Sequence, residues 1–246
     1  MRHIAVIGAG PAGLGAAQVL AQNGCHVTLL NDALRPGGLA EYGFYPTKTT
    51  DISKHRNQAH ETLAHPNVRY RGGVRFGHHA DISKDDLNAL GFDAVLVAIG
   101  APAPRPSPVA DTDGLSNVYD ARTLYLGYSG RPEWNVSNVE LGSRLAIVGT
   151  GNVAINIARW AVEQGVGDIL ILARRGPLQR RYSEREIHCI GGHVGRNALQ
   201  HEMERIGAEL SATGTSAEAA YHELTSGLGN TRVAHSASVI RFRFAT

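Results

Sequence analysis

The sequence predicts an α/β protein with two parallel sheets, because one pattern of strand, turn and helix occurs twice. A short apolar run, a glycine-rich turn, a stretch with helical periodicity and a second apolar run follow one another at residues 4–30 and again at 145–173. About 30 residues suffice for a strand, a crossover helix and a parallel strand. We therefore expect two three-layer, Rossmann-like domains, one for each repeat of the pattern.

The first domain is expected to contain most of the strand-forming segments. Apolar runs predict strands at residues 4–7, 26–30, 68–71, 74–76 and 93–99, and helical periodicity predicts helices at residues 12–23 and 52–64. The breaker cluster at residues 35–38 and the weakly periodic residues 41–46 indicate a loop after the second strand. Loops at strand ends are where such folds bind ligands.

Four prolines at residues 101–108 indicate a crossover between domains, since proline is excluded from helix interiors and central strands. We expect the first domain to span residues 1–105, and a connection with one helix near 120–128 to span residues 106–142. The second domain is expected to span residues 143–246. Its predicted helices lie at 153–164 and near 198–209, and its last strands at 239–244.

The composition argues against several classes of protein. A net charge of +2 and 6% aromatic residues indicate neither a nucleic-acid surface nor a membrane-surface protein. The two cysteines, Cys25 and Cys189, form no C-x-x-C motif, so a bound cofactor has to carry any electrons. We expect no metal site, because no histidine pair has helical ligand spacing, and no catalytic side chain, because no nucleophile signature occurs. The N-terminus shows no signal-peptide pattern, which predicts a cytoplasmic protein.

The first glycine motif, Gly8-x-Gly10-x-x-Gly13 with Pro11 and Ala12 inside it, follows a predicted strand and opens a predicted helix. Its glycines permit a tight turn, close approach of the backbone to a pyrophosphate, and close packing of helix on strand. At the end of the next strand, either Asn31 or Asp32 is expected to accept a hydrogen bond from a ribose hydroxyl. The alternative is that this residue satisfies its own turn backbone.

The second motif, Gly149-Thr150-Gly151-Asn152-Val153-Ala154, has alanine at the third glycine position, which still allows close helix packing. The strand that follows it ends at Arg174 and Arg175. Guanidinium groups match the 2′-phosphate of NADP in charge and geometry, so this pair favours NADP over NAD. The alternative is that these two arginines form a solvated basic face or a nucleic-acid patch with Arg180, Arg181 and Arg185.

Several segments together resemble the adrenodoxin-reductase type of ferredoxin–NADP reductases and the related glutamate-synthase small subunits. The resemblance runs from about residue 3 to about residue 190 and is carried by residues 6–13, 36–39 with 42–43, 95–100, 149–154 and 173–179. It implies that the first domain binds FAD and the second NADP. The flavin-nucleotide positions would be Ala12, Asn31, Leu39 and Val74, with Gly38 and Gly100 in the matching segments. The NADP positions would be residues 150–153, Arg174, Arg175 and Glu186.

The resemblance also implies that the NADP domain is inserted into the FAD domain, whose closing segment would follow it in the chain. Two positions depart from the family pattern: Asn31 replaces a ribose-binding glutamate, and Asn156 replaces an aspartate. The expected activity is electron transfer from NADPH through FAD to a ferredoxin-like iron–sulfur protein. The alternatives are a glutamate-synthase-like small subunit, whose N-terminal cysteine clusters are absent, and an incomplete, non-catalytic nucleotide-binding chain.

Overall fold

The structure, a computed structural model, describes residues 1–43, 49–101, 103–104, 106, 109, 114–129, 139–233 and 236–244. The chain divides into two compact units. The first unit comprises Met1–Pro108 and Tyr125–Asn135, and the second comprises Val109–Leu124 and Val136–Thr246. Within the described residues, no helix is long and apolar enough to cross a lipid bilayer.

The first unit is built on a four-stranded parallel sheet with the strand order β3-β2-β1-β4. Its strands are β1 (His3–Ile7), β2 (His26–Asn31), β3 (Val68–Gly72) and β4 (Ala94–Val97). The helices in its described part are α1 (Pro11–Gln22), α2 (Leu39–Tyr42), α3 (Thr49–Leu63), α4 (Lys84–Ala89) and the second half of α5 (Ala121–Tyr128). This strand order is the one found in nucleotide-binding α/β sheets.

The two central strands, β1 and β2, are covered on both faces, as parallel strands require, whereas the residues of the edge strand β4 are exposed. Successive residues of β1 point to opposite faces, and both sets are apolar. Ile4 and Val6 are buried in a core shared with α1 and α3, whereas Ala5 and Ile7 belong to a second core that includes Leu87 of α4. Because helices pack on the faces of the central strands, the loops that could bind a ligand lie at the carboxyl ends of the strands.

Two predictions for the first unit are wrong. Residues 39–42 form the short helix α2 rather than a loop from residue 41 onward, because the breaker glycines start a helical turn instead of preventing one; residues 44–46 lie outside the described part of the chain. Residues 74–76 form no strand: Phe76 makes only an isolated bridge with Ile82. The apolar side chains at 74 and 76 instead pack on the Leu87 core, which explains their hydrophobicity without a ladder.

The second unit contains a three-stranded parallel sheet with the order β5-β6-β7. Its strands are β5 (Arg144–Val148), β6 (Asp168–Leu172) and β7 (Val239–Arg243). Its described α-helices are the first half of α5, α6 (Asn152–Glu163), α7 (Glu184–His188), α8 (Arg196–Arg205), α9 (Gly207–Ala212) and α10 (Ala217–Ser226). Two parallel sheets, each opened by a strand, a glycine turn and a helix, confirm the predicted α/β fold with two Rossmann-like parts.

Burial in the second sheet alternates along β6 and β7. Ile169 and Ile171 of β6 and Ile240 and Phe242 of β7 are buried, and their neighbours in the strands are more exposed. Since alternate residues share a face, one face of this sheet forms the core. The predicted helix near 198–209 is two helices, α8 and α9, which meet at Ile206.

Tyr182 lies in the core of the second unit, and its ring centroid is 6.5 Å from that of Phe242. Only 8% of the residue is exposed. Burial raises the pKa of its phenol from 10.0 to about 12, and the charge of Arg180 opposes this increase. A raised pKa means that the folded chain binds the phenolic proton more tightly than the unfolded chain does.

We expect the free energy of unfolding of the second unit to fall between pH 10 and pH 12 because of Tyr182. In this interval the phenol ionises in the unfolded chain but keeps its proton in the folded chain, so rising pH favours unfolding. The loss should reach about 2–3 kcal/mol. Denaturant titrations across this pH range would measure it, and Tyr182→Phe should remove this component. Identical pH dependence in the wild type and the variant would contradict the expectation.

Candidate nucleotide-binding sites

The first glycine turn connects β1 to α1 and is closed by backbone contacts. Gly8 has a φ of +100°, and its N–H donates to the carbonyl of Leu30 at 2.8 Å. A Cβ atom on Gly8 would collide with the carbonyl oxygen of Ala98, and one on Gly13 with the carbonyl oxygen of Gly8. A Cβ on Gly10 would meet no described atom within 4 Å. Glycines 8 and 13 therefore shape the turn, while Gly10 leaves room for a ligand.

The start of α1 is suited to an anion. Gly10 caps the helix without a side-chain hydrogen bond, and Pro11 occupies its first turn. The first N–H groups of a helix have no partner inside it and carry the positive end of its dipole. Ala12, which follows Pro11, is exposed. The cradle of glycines and the uncapped helix start thus fit the pyrophosphate of a dinucleotide.

Asn31, at the end of β2, is 6% exposed and makes four hydrogen bonds within the protein. Its Oδ1 accepts from the N–H of Ala9 at 2.9 Å, inside the glycine turn. The two N–H groups of its Nδ2 are shared among three acceptors: the carbonyl of Ala33 at 2.9 Å, that of Arg35 at 3.3 Å, and the hydroxyl of Tyr70 at 3.2 Å. This side chain therefore ties the glycine turn to the loop after β2.

Asp32 differs from Asn31 in its surroundings. It is exposed, and its Oδ1 accepts from the N–H of Ala33 at 2.8 Å. A carboxylate has about four acceptor positions, and this one lies on an exposed residue. Of the two residues considered for the ribose, Asp32 presents the more accessible acceptor.

Tyr70 was not predicted from the sequence as a site residue. Its hydroxyl accepts a hydrogen bond from Asn31. The hydroxyl hydrogen is shared between the carbonyls of Ala33 at 3.0 Å and Leu34 at 3.2 Å. Burial raises the pKa of Tyr70, and the hydrogen bond with Asn31 opposes this. Only the pairing of β3 with β2 brings this tyrosine beside Asn31.

Replacing Asn31 by alanine should lower the free energy of unfolding of the first unit by about 2–4 kcal/mol. The substitution leaves the Ala9 N–H and the Ala33 carbonyl without their shared partner. Chemical denaturation of the ligand-free protein would measure the loss. The control Asn57→Ala removes an exposed amide from α3 and should change stability by no more than about 0.5 kcal/mol. Equal changes in the two variants would refute the linking role of Asn31.

A second turn lies against the first. The N–H of Gly37 donates to the carbonyl of Ala9 at 2.7 Å, and a Cβ atom on Gly38 would lie 3.0 Å from the Cα of Gly10. Gly37 and Gly38 both have positive φ, at +115° and +53°. Leu39, which begins α2, is 65% exposed.

The remaining predicted residues of the first unit lie at the same end of the sheet. The N–H of Val74 donates to the carbonyl of Asn31 at 2.9 Å, and that of Ala98 donates to the carbonyl of Ile7 at 2.7 Å. Gly100 follows β4 with a φ of +69°. The carboxyl ends of β1, β2, β3 and β4 thus carry every residue predicted for the first site, where α/β sheets bind ligands.

The second glycine turn repeats the geometry of the first. Gly149 has a φ of +120°, and its N–H donates to the carbonyl of Leu172 at 2.8 Å. Gly151 caps α6 without a side-chain hydrogen bond. The carbonyl of Thr150 accepts from the N–H of Arg181 at 3.2 Å. Val153, in the first turn of α6, is 41% exposed.

The side chain of Asn152 stabilises this turn. Its Oδ1 accepts from the N–H of Ser183 at 2.8 Å, which ties the start of α6 to the segment before α7. Glu186 of α7 is 8% exposed, so a buried carboxylate lies on the helix that follows Ser183. The structure thus brings Asn152 close to the segment of Glu186, although 34 positions separate the two residues in the sequence.

Three exposed arginines, Arg174, Arg175 and Arg181, follow β6 near the second turn. Arg174 and Arg175 follow β6 by two and three residues, and both are exposed. Neither forms a hydrogen bond or ion pair with the side chains that the structure describes. Arg181, which the sequence assigned only to a basic face, is held next to Thr150 by its backbone. By contrast, Arg180 is paired with Glu223 at 3.0 Å, so the neighbouring arginines differ in their availability to an anionic ligand.

Comparison with known proteins connects this geometry to one family. The sequence profile of the family described as pyridine nucleotide-disulphide oxidoreductase matches residues 2–213. The chain is 30% identical over 209 residues to the mitochondrial NADPH:adrenodoxin oxidoreductase of Drosophila melanogaster, covering 76% of this chain and 44% of that protein. It is 28% identical over 245 residues to NADPH-ferredoxin reductase FprA of Mycobacterium leprae, covering 86% and 52%.

A solved structure shares the fold. Mycobacterium tuberculosis FprA in complex with NADPH matches with a TM-score of 0.78 and 24% sequence identity, over 99% of this chain and 59% of the FprA chain. The chain thus spans about half the length of the relatives that it matches.

Proposed function

The chain belongs to the pyridine nucleotide-disulphide oxidoreductase family, and from this premise we propose that its first unit binds FAD and its second unit binds NADPH. The proposal describes a flavin-dependent oxidoreductase. We assign the FAD part to residues 1–105 and the NADPH part to residues 143–246, joined by residues 106–142.

One observation carries this proposal: the same turn occurs at the same place in both units. In each unit the first glycine has a positive φ and donates its N–H to the last or next-to-last residue of the neighbouring strand at 2.8 Å. In each unit the helix that follows begins at a glycine without a side-chain cap. Two such turns provide one anion site for each of two dinucleotides.

The residues divide between the two nucleotides by their chemistry. The glycine turn at residues 8–13, with Gly38 beside it, would hold the FAD pyrophosphate, and Asp32 or Asn31 would contact the ribose. The turn at residues 149–153 would hold the NADPH pyrophosphate. Arg174 and Arg175 would bind the 2′-phosphate, because unpaired guanidinium groups form strong bidentate bonds to phosphate. When bound, NADPH would supply a hydride, and FAD would accept it and pass its two electrons on one at a time. The protein would position the two cofactors and supply charged groups around them.

We propose a small iron–sulfur protein as the electron acceptor. The support comes from the relatives, which are named for adrenodoxin and for ferredoxin. A cytoplasmic location is part of the same proposal.

An absorbance spectrum of the purified chain, before and after addition of FAD, tests the first half of the proposal. We expect flavin absorbance that stays with the protein through gel filtration, and bleaching on anaerobic titration with NADPH. A protein that stays colourless after FAD is added would favour the non-catalytic alternative. Calorimetric titration with NADPH tests the second unit independently, so that loss of one site does not hide the other.

A further inference from the structure

We propose that Glu41 and Arg56 are positioning residues for FAD: their ion pair holds α2 to α3, which keeps the Gly37–Gly38 turn seated on the Gly8–Gly10 turn. This inference rests on the proposed function, because it names a determinant of FAD binding outside the glycine motif. Neither residue belongs to the segments that carry the family resemblance.

The pair has the geometry of a strong charge-assisted contact. Arg56 donates from Nε to Oε2 of Glu41 at 2.8 Å and from Nη2 to Oε1 at 2.7 Å. Arg35 adds a second cationic group, with its Nη1 3.6 Å from Oε1 of Glu41. Two parallel N–H···O bonds fix the relative orientation of the carboxylate and the guanidinium as well as their distance.

Burial is unequal within the pair, and this points to a role for the carboxylate. The side chain of Glu41 is 5% exposed, whereas that of Arg56 is 52% exposed. A buried carboxylate is costly unless it is paired, and an apolar residue at position 41 would fill the same space without that cost. What the carboxylate adds is a directional link to α3.

Glu41 is in direct contact with the turn that it would position. A Cβ atom on Gly37 would lie 2.8 Å from the Cβ of Glu41, so the two backbones are packed against each other. The N–H of Glu41 also donates to the carbonyl of Gly38 at 3.1 Å. Because Gly37 in turn donates to the carbonyl of Ala9, a displacement of Glu41 would be transmitted to the pyrophosphate turn.

The rest of α2 has separate anchors, so loss of the Glu41–Arg56 pair should loosen α2 without unfolding it. Tyr42 is buried with Ala33 and Leu126, and the hydroxyl of Tyr125 donates to the carbonyl of Gly43. A site whose supporting residues are loosened binds its ligand less tightly, even when every contacting group is present.

The test is a double-mutant cycle on FAD affinity with Glu41→Gln, Arg56→Gln and the double variant, measured by quenching of flavin fluorescence where circular dichroism shows each protein folded. Each single variant should bind FAD about tenfold more weakly, and the double variant no more weakly than the weaker single variant. The visible circular dichroism of the bound flavin should change as well. NADPH affinity should not change, because the second unit is untouched.

Lys54→Gln is the matched control, because it removes the same charge from an exposed position of the same helix, and its FAD affinity should equal that of the wild type. Arg56→Lys retains the charge without the fork and should fall between wild type and Arg56→Gln; it also keeps the test decisive if a glutamine variant fails to fold. Variants that bind FAD as tightly as the wild type would overturn this inference alone. A wild type that binds no FAD would overturn the proposed function and this inference with it.

Discussion

Replacing Gly13 by alanine should abolish FAD binding and lower the free energy of unfolding of the first unit by more than about 3 kcal/mol. The new Cβ would collide with the carbonyl oxygen of Gly8. The carbonyl belongs to the backbone and the new Cβ is fixed to the backbone of α1, so no flexible side chain can move to relieve the collision. The turn would have to open, which would displace the first N–H groups of α1 from the place of the pyrophosphate.

Gly15→Ala is the control for this prediction, because it adds the same methyl group to the same helix two residues later. No described atom lies within 4 Å of a Cβ at Gly15, so the substitution should leave FAD binding intact and stabilise α1 by up to about 1 kcal/mol. Thermal or denaturant unfolding of the ligand-free proteins and FAD fluorescence give the two readouts. Normal FAD affinity in Gly13→Ala would contradict the close contact of α1 with β1 that the structure shows.

Replacing Arg174 by alanine should weaken NADPH binding by about 1–3 kcal/mol, which is roughly 5- to 150-fold, and leave NADH binding nearly unchanged. The two nucleotides differ only in the 2′-phosphate, so the difference isolates the phosphate contact. Arg174→Ala combined with Arg175→Ala should have the larger effect, since both side chains are exposed near the end of β6.

Arg180→Ala is the control for the loss of one positive charge from this segment. This arginine lies in the same segment but is paired with Glu223, so its removal should affect NADPH and NADH equally and slightly. Calorimetric titrations with both nucleotides, at one salt concentration, give the ratio. An equal loss of affinity for NADPH and NADH in Arg174→Ala would show that this residue does not bind the 2′-phosphate.

The sequence was sufficient for the two glycine turns and for the order of strands and helices around them. These features depend on local physics: the φ angles that glycine permits, the spacing of apolar residues, and the length that a crossover needs. The positions of Gly8 and Gly149 in their turns and of Arg174 after its strand follow from such short-range rules. For that reason the fold class and both glycine turns could be predicted before any contact was known.

Tertiary structure alone decided how each site is supported. From the sequence, Asn31 could be either a ribose-binding residue or a turn residue. Nothing in the sequence indicated that Tyr70, 39 positions away, would contact Asn31. It predicted a loop where α2 forms, and it did not indicate that Glu41 and Arg56 would meet. Such contacts depend on which strands pair and which helices pack together, so side chains distant in sequence become neighbours only after the chain has folded. Periodicity and motif spacing describe local geometry, whereas the supporting hydrogen bonds and ion pairs belong to the packed sheet and its helices.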